Sequence, residues 1–127
     1  LSEGRDSGLE LTVLAKEVEE ISPDTAEAIL GVFDLDAADV PSTAYPLHTL
    51  QAALWPLERV MTLEDGIVMV VNLGYDTNTC GALSGALLGA RDGEEAIPRR
   101  WLEKLRGVDR IRKAADRLLE VATGKTE

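Results

Sequence analysis

Asp76, Thr77, Asn78 and Thr79 put one carboxylate, one amide carbonyl and two hydroxyls into four consecutive residues. All are hard oxygen donors of the kind that Mg²⁺ or Ca²⁺ takes, so a metal or phosphate site can be built on them. The same residue types are preferred just before a helix, where Asp76 or Asn78 would serve only as an N-cap. The tetrapeptide alone leaves both readings open. Behind it, Gly81, Gly85 and Gly89 recur every fourth residue, with Ala82, Ala86 and Ala90 beside them. One face of this helix therefore has almost no side chain, and another helix can approach its backbone closely. The apolar run from Cys80 to Ala90 is too short to span a membrane and is flanked by Asp76 and by Arg91 and Asp92. It predicts a central, fully buried helix of a soluble helical protein.

The order Gly74, Tyr75, Asp76, Thr77, Asn78, Thr79 is followed by the glycine-rich helix, by Gly89-Ala90-Arg91-Asp92-Gly93, and by Ala96-Ile97-Pro98 and Trp101. It resembles the C-terminal part of the ADP-ribosylglycohydrolases, whose motif reads Gly-x-Asp-Thr-Asp-Thr. The likeness extends upstream through Thr49-Leu50-Gln51-Ala52-Ala53-Leu54-Trp55 and Thr62-Leu63-Glu64-Asp65, so it covers roughly Tyr45 to Leu105. Matches at this many spaced positions are more specific than one short motif.

The resemblance implies an all-α fold, a compact multi-helix orthogonal bundle, and a Mg²⁺-dependent hydrolase that removes ADP-ribose from modified proteins. It implies Asp76, Asn78 and Thr79 as metal-binding residues and Gly74 and Tyr75 as substrate-binding residues. Two departures weaken this chemistry. Asn78 stands where the family has a second aspartate, which keeps a carbonyl oxygen and loses a negative charge, so metal affinity should fall. Tyr75 stands where the family commonly has a glycine that lets the backbone approach the ribose, so a phenol would narrow the cleft. Family members are also typically more than twice this length, and their N-terminal part supplies a Thr-x-Asp-Asp type motif that completes a binuclear site. Nothing in Leu1 to Val40 matches it. The expectation is about half an enzyme, inactive or weak by itself; the alternatives are a non-catalytic helical interaction module or one half of a split hydrolase. An uncovered flank of the glycine helix would then take a partner, either a second copy in a homodimer or a separately encoded N-terminal half.

The elements that must position these residues read as helices throughout. Leu11, Leu14, Val18 and Ile21 share one face of a first helix, and Ser22-Pro23 restarts the chain as N-cap and first helical position. Ala26, Ile29, Leu30 and Phe33 continue a second, and Asp34 to Thr43 is a linker. Pro46 opens a third helix with an apolar face of Leu47, Leu50, Leu54, Leu57 and Met61, and Pro56 predicts a kink or break near Trp55. Thr62 to Asp65 reads as a capping box before Ile67, Val68, Val70 and Val71. That β-branched run would equally suit a strand; the cap and the resemblance decide for helix. Pro98 starts a sixth helix, and a seventh after Gly107 carries Val108, Ile111, Ala115, Leu118 and Ala122 and closes at Gly124. Residues 1–8 are expected as a frayed terminus and 9–127 as one helical domain.

The formal net charge of -10 argues against a nucleic-acid or anionic-membrane surface and is compatible with cation binding. The single Cys80 excludes an internal disulfide and is expected as a small buried core residue. The sequence shows no signal peptide or transmembrane run, so a cytoplasmic location is the default. His48, the only histidine, is expected at the surface of a helix N-terminus. Asp34, Asp36 and Asp39 lack the glycine and terminal glutamate of a calcium loop and read as a solvated linker.

Overall fold

The structure, a computed structural model, describes residues 7–59 and 61–124. Among them there is no strand, and the fold is all-α as expected. The helices are α1 (Ser7–Val18), α2 (Pro23–Gly31), α3 (Pro46–Glu58), α4 (Leu63–Val71), α5 (Thr77–Asp92), α6 (Arg99–Leu102) and α7 (Val108–Thr123), with 3-10 turns at Val32–Asp34 and Glu94–Ala96. Of the terminus expected to fray over residues 1–8, residues 1–6 lie outside the described residues, and α1 begins at Ser7. Contacts divide the chain into two units, Leu1–Ala96 and Ile97–Glu127.

Local signals explain most helix starts. The Ser22 hydroxyl accepts from the Thr25 amide at 3.4 Å, with Pro23 in the first turn of α2. The Thr62 hydroxyl accepts from the Asp65 amide at 3.1 Å and donates to the Asp65 carboxylate at 2.8 Å. One first-turn amide is thus satisfied by the Thr62 cap while the two side chains hold each other, and the β-branched run that follows is helical, as expected. Gly124 closes α7 at φ 69°, a left-handed value that glycine adopts without a Cβ clash.

Within the first unit, α3 is the helix at the centre, packing against α1, α2, α4 and α5. Ala52, Ala53, Leu54, Trp55 and Pro56 are all buried. This corrects the expectation that the glycine-rich helix would be the fully buried one. On α5 only the stripe Cys80, Ser84 and Leu88 is buried, while Ala82, Ala86 and Ala90 are exposed. The close approach expected along the glycine face is also partial. A Cβ at Gly81 would lie 2.9 Å from Val71 and one at Gly85 3.4 Å from Ile67, both on α4, but one at Gly89 would meet nothing within 4 Å. Small residues allow close packing without requiring it. Here α3 has consecutive alanines where α1, α2, α4 and α5 converge, so it takes the centre.

Of the kink or break expected at Pro56, the break is absent: α3 continues past it to Glu58, although the proline has no N–H to give the Ala52 carbonyl. The Trp55 indole N–H donates to the Leu35 carbonyl at 2.8 Å, and the Gln51 amide donates to the Ala28 carbonyl at 3.0 Å. These two bonds fasten α3 to α2 and to the strap that follows it. On α1 the buried stripe is Leu11 and Ala15, with Val18 half-buried, whereas Leu14 and Ile21 are exposed. Ile21 lies beyond the end of the helix, so the 3.6-residue period no longer governs where it points.

Candidate functional site

Asp76 stands at the N-cap position of α5, yet its carboxylate makes no capping bond. It accepts instead from the Thr79 hydroxyl at 2.9 Å. A first-turn hydroxyl therefore orients an acidic oxygen pair that the helix does not consume. Asn78 and Thr79 are exposed, and Asp76 and Thr77 are half-buried at the same end of the helix.

The turn that presents Asp76 is held from a distance in sequence. Ser42, only 4% exposed, donates through its hydroxyl to the Gly74 carbonyl at 3.1 Å. Its own carbonyl accepts from the Asp76 amide at 3.0 Å. Between these bonds Gly74 has φ 87° and Tyr75 φ 58°. Glycine adopts the left-handed region freely, whereas a tyrosine there carries on the order of 1 kcal/mol of strain. The Tyr75 side chain is 88% exposed and gains no packing in exchange.

Below the turn, Cys80 is fully buried, as expected. Burial pushes its thiol pKa up, the Thr49 hydroxyl opposes that, and the nearby Asp76 charge adds to it. The group is a neutral core thiol. Thr49 itself faces the Thr43 and Tyr45 carbonyls at 3.3 and 3.4 Å. His48, in the first turn of α3, pairs through Nδ1 with the Thr43 hydroxyl at 2.8 Å and meets Tyr45 edge-on at 5.1 Å between ring centroids. Asp36 and Asp39 are exposed on the linker, as expected, and Asp34 is exposed at the end of the 3-10 turn Val32–Asp34.

The far end of α5 is closed by its own residues. Arg91 bonds Asp92 through Nε at 2.5 Å and Nη2 at 2.6 Å, and Nη2 also reaches the Met61 carbonyl. Asp92 accepts in addition from the Leu63 backbone amide. The guanidinium holds the Asp92 carboxyl below the usual carboxylate range, and Asp92 in turn raises the Arg91 pKa. Gly93, at φ 82°, ends the helix. The Arg91-Asp92-Gly93 part of the motif is therefore structural, tying the end of α5 to the start of α4.

Gly74, Tyr75, Asp76, Asn78 and Thr79 are the site residues that the family resemblance implies. The structure brings Asp76 and Thr79 into direct contact and sets Gly74 and Tyr75 in the turn before them. Ser42 has no mark in the sequence reading, and Thr49 enters it only within the stretch of family likeness, not as a site residue. The Ser42 contact spans 32 residues and joins a linker to a turn, which no local periodicity signals. Among the described residues no three His, Cys, Asp or Glu side chains gather into a metal-binding group. The donors at the turn have the right chemistry for a hard cation, but with one carboxylate they form a single side of such a site.

The profile of the ADP-ribosylglycohydrolase family matches residues 4–127. Over 84 residues the chain is 34% identical to the ADP-ribosylarginine hydrolase Tri1 of Serratia proteamaculans, which covers 66% of this chain and 23% of that protein. Over 83 residues it is 41% identical to the ADP-ribosyl-[dinitrogen reductase] glycohydrolase of Rhodospirillum rubrum, covering 64% and 28%. The ADP-ribosylhydrolase ARH3 of Gallus gallus is 32% identical over 83 residues, covering 65% and 23%. The chain thus spans about a quarter of the length of these relatives. No solved structure matches.

Proposed function

The chain belongs to the ADP-ribosylglycohydrolase family, and from that footing we propose that it forms one wall of a Mg²⁺-dependent site for hydrolysing protein-linked ADP-ribose. The observation that carries this reading is the Asp76 carboxylate, which leaves the α5 amides uncapped and is steered by Thr79 at the open end of the helix. Asp76, Asn78 and Thr79 would hold the metal, and Gly74 and Tyr75 would meet the ribose. Held by these residues, Mg²⁺ would supply Lewis-acid charge to a nucleotide oxygen and to a water.

The chain's own residues do the rest of the positioning. Thr79 fixes the carboxylate rotamer, and Ser42 clamps the turn from both sides. Asn78 contributes an oxygen without charge, so the remaining carboxylates must come from a companion segment, and this chain alone hydrolyses weakly or not at all. Exposed Ala82, Ala86 and Ala90 on α5 leave room for such a segment to pack.

Release of ADP-ribose from an ADP-ribosylated arginine substrate tests the reading. The chain alone should give no turnover above background. Adding the N-terminal segment of the Serratia relative should produce turnover that Asp76→Ala abolishes. Turnover by the chain alone that survives Asp76→Ala would overturn the proposal.

A further inference from the structure

The chain's single histidine is joined to Asp76 through two adjacent residues. His48 is half-buried in the first turn of α3, and the link runs through Ser42 and Thr43 in the strap before that helix.

Thr43 is gripped from α3 at two points. Its hydroxyl lies 2.8 Å from His48 Nδ1, and its carbonyl accepts from the Thr49 hydroxyl at 3.3 Å. Ser42 uses the same two groups to grip the turn before α5: its hydroxyl donates to the Gly74 carbonyl at 3.1 Å and its carbonyl accepts from the Asp76 amide at 3.0 Å. The Ser42 carbonyl and the Thr43 nitrogen share one rigid peptide plane, so a shift of Thr43 is carried directly to the acceptor of the Asp76 amide.

The contacts of Thr43 also decide how His48 is used. The Tyr45 amide donates to the Thr43 hydroxyl oxygen at 3.2 Å, which leaves the hydroxyl proton for Nδ1. His48 therefore accepts at Nδ1 and carries its proton on Nε2. The Tyr45 ring stands edge-on to the imidazole, with centroids 5.1 Å apart and planes at 84°, and packs against one side of it. Thr43 is exposed, where water would satisfy its hydroxyl nearly as well. Tying it to His48 adds little to stability and adds order at the strap.

We propose that His48 is a positioning residue: through Thr43 it fixes the peptide between Ser42 and Thr43, and through that peptide the Asp76 backbone and carboxylate at the open end of α5. That this carboxylate then meets a metal rests on the proposed function; its placement does not.

Amide hydrogen exchange in the full chain, read by NMR at Asp76 and at the buried Val70 of α4, tests the placement. His48→Ala should speed exchange at Asp76 about five- to tenfold, the effect of losing one hydrogen bond, and leave Val70 unchanged. Thr43→Val should do the same. His48→Asn, whose side-chain oxygen can stand where Nδ1 does, should restore slow exchange, and His48→Gln, whose amide reaches the Nε2 position, should not. Unchanged exchange at Asp76 in His48→Ala, an equal change at Val70, or rescue by Gln as well as by Asn would overturn the proposal. Calorimetric titration of Asn78→Asp with Mg²⁺, with and without His48→Ala, separates placement from metal binding. Affinity that falls severalfold with His48→Ala supports both, and unchanged affinity in a chain that does bind would overturn the positioning of the carboxylate. If Asn78→Asp binds no Mg²⁺ while exchange at Asp76 still responds to His48, the metal reading fails and the positioning stands.

Discussion

The two ends of α5 use similar residues for opposite purposes. At its C-terminal end both charged side chains are engaged: Arg91 grips Asp92 and the Met61 carbonyl, and Asp92 takes the Leu63 amide. At its N-terminal end Asp76 leaves the backbone uncapped, Tyr75 is strained, and Asn78 and Thr79 are exposed. One end holds the fold together, and the other is held by the fold. A single contiguous motif thus divides into an architectural half and a half available to a ligand.

The largest expected effect lies on the architectural side. Gly66→Ala would put a Cβ 2.7 Å from Leu88 and 3.0 Å from Pro56, and Leu88 is fully buried on α5, so neither neighbour has free space to yield. Thermal or urea unfolding should register a loss of about 1–3 kcal/mol. If Gly66→Ala were neutral, the packing of α5 on α4 would be looser than described.

Arg91→Ala should come next, at about 1–2 kcal/mol, since charge-assisted bonds are lost at a partly exposed position. The same pair sets a pH dependence. The Asp92 carboxyl is depressed in the folded chain, so its contribution is present above the unfolded aspartate pKa of about 3.9 and is lost as pH falls through the lower folded value. Unfolding followed from pH 6 downward should show this acid loss in the wild type and a flatter profile in Arg91→Ala. An identical slope in both would remove the pair from the account.

The smallest effects should be stabilising. Gly89→Ala meets nothing within 4 Å and gains helix propensity, about 0.5–1 kcal/mol. Tyr75→Gly at the other end releases the left-handed strain at the cost of unfolded-state entropy, for a net gain of about 0.5 kcal/mol. A destabilised Tyr75→Gly chain would mean that the exposed ring contributes packing after all.

What the sequence made legible was local. The Ser22 and Thr62 caps, the Gly124 terminator and the buried Cys80 all depend on neighbours within a few residues or on composition, and all stand as read. The ADP-ribosylglycohydrolase resemblance, read on spaced residues between Tyr45 and Leu105, is matched by the family profile over 4–127. What escaped was relational. A run of glycine says that a helix can be approached, not which helix takes the centre, and α3 takes it with its alanines and tryptophan. Pro56 reads as a breaker until its distance from the helix end is known. Ser42, the clamp of the candidate site, is a linker serine whose partners lie 32 and 34 residues away.

Calorimetric titration of the chain with Mg²⁺, beside Asn78→Asp and Asp76→Ala, tests most directly whether the N-terminal end of α5 is a metal-facing wall. The wild type should bind weakly, because Asp76 is its only carboxylate at the turn. Asn78→Asp should tighten binding about tenfold, and Asp76→Ala should abolish it. Micromolar binding by the wild type, or an Asn78→Asp chain that binds no better, would contradict the account.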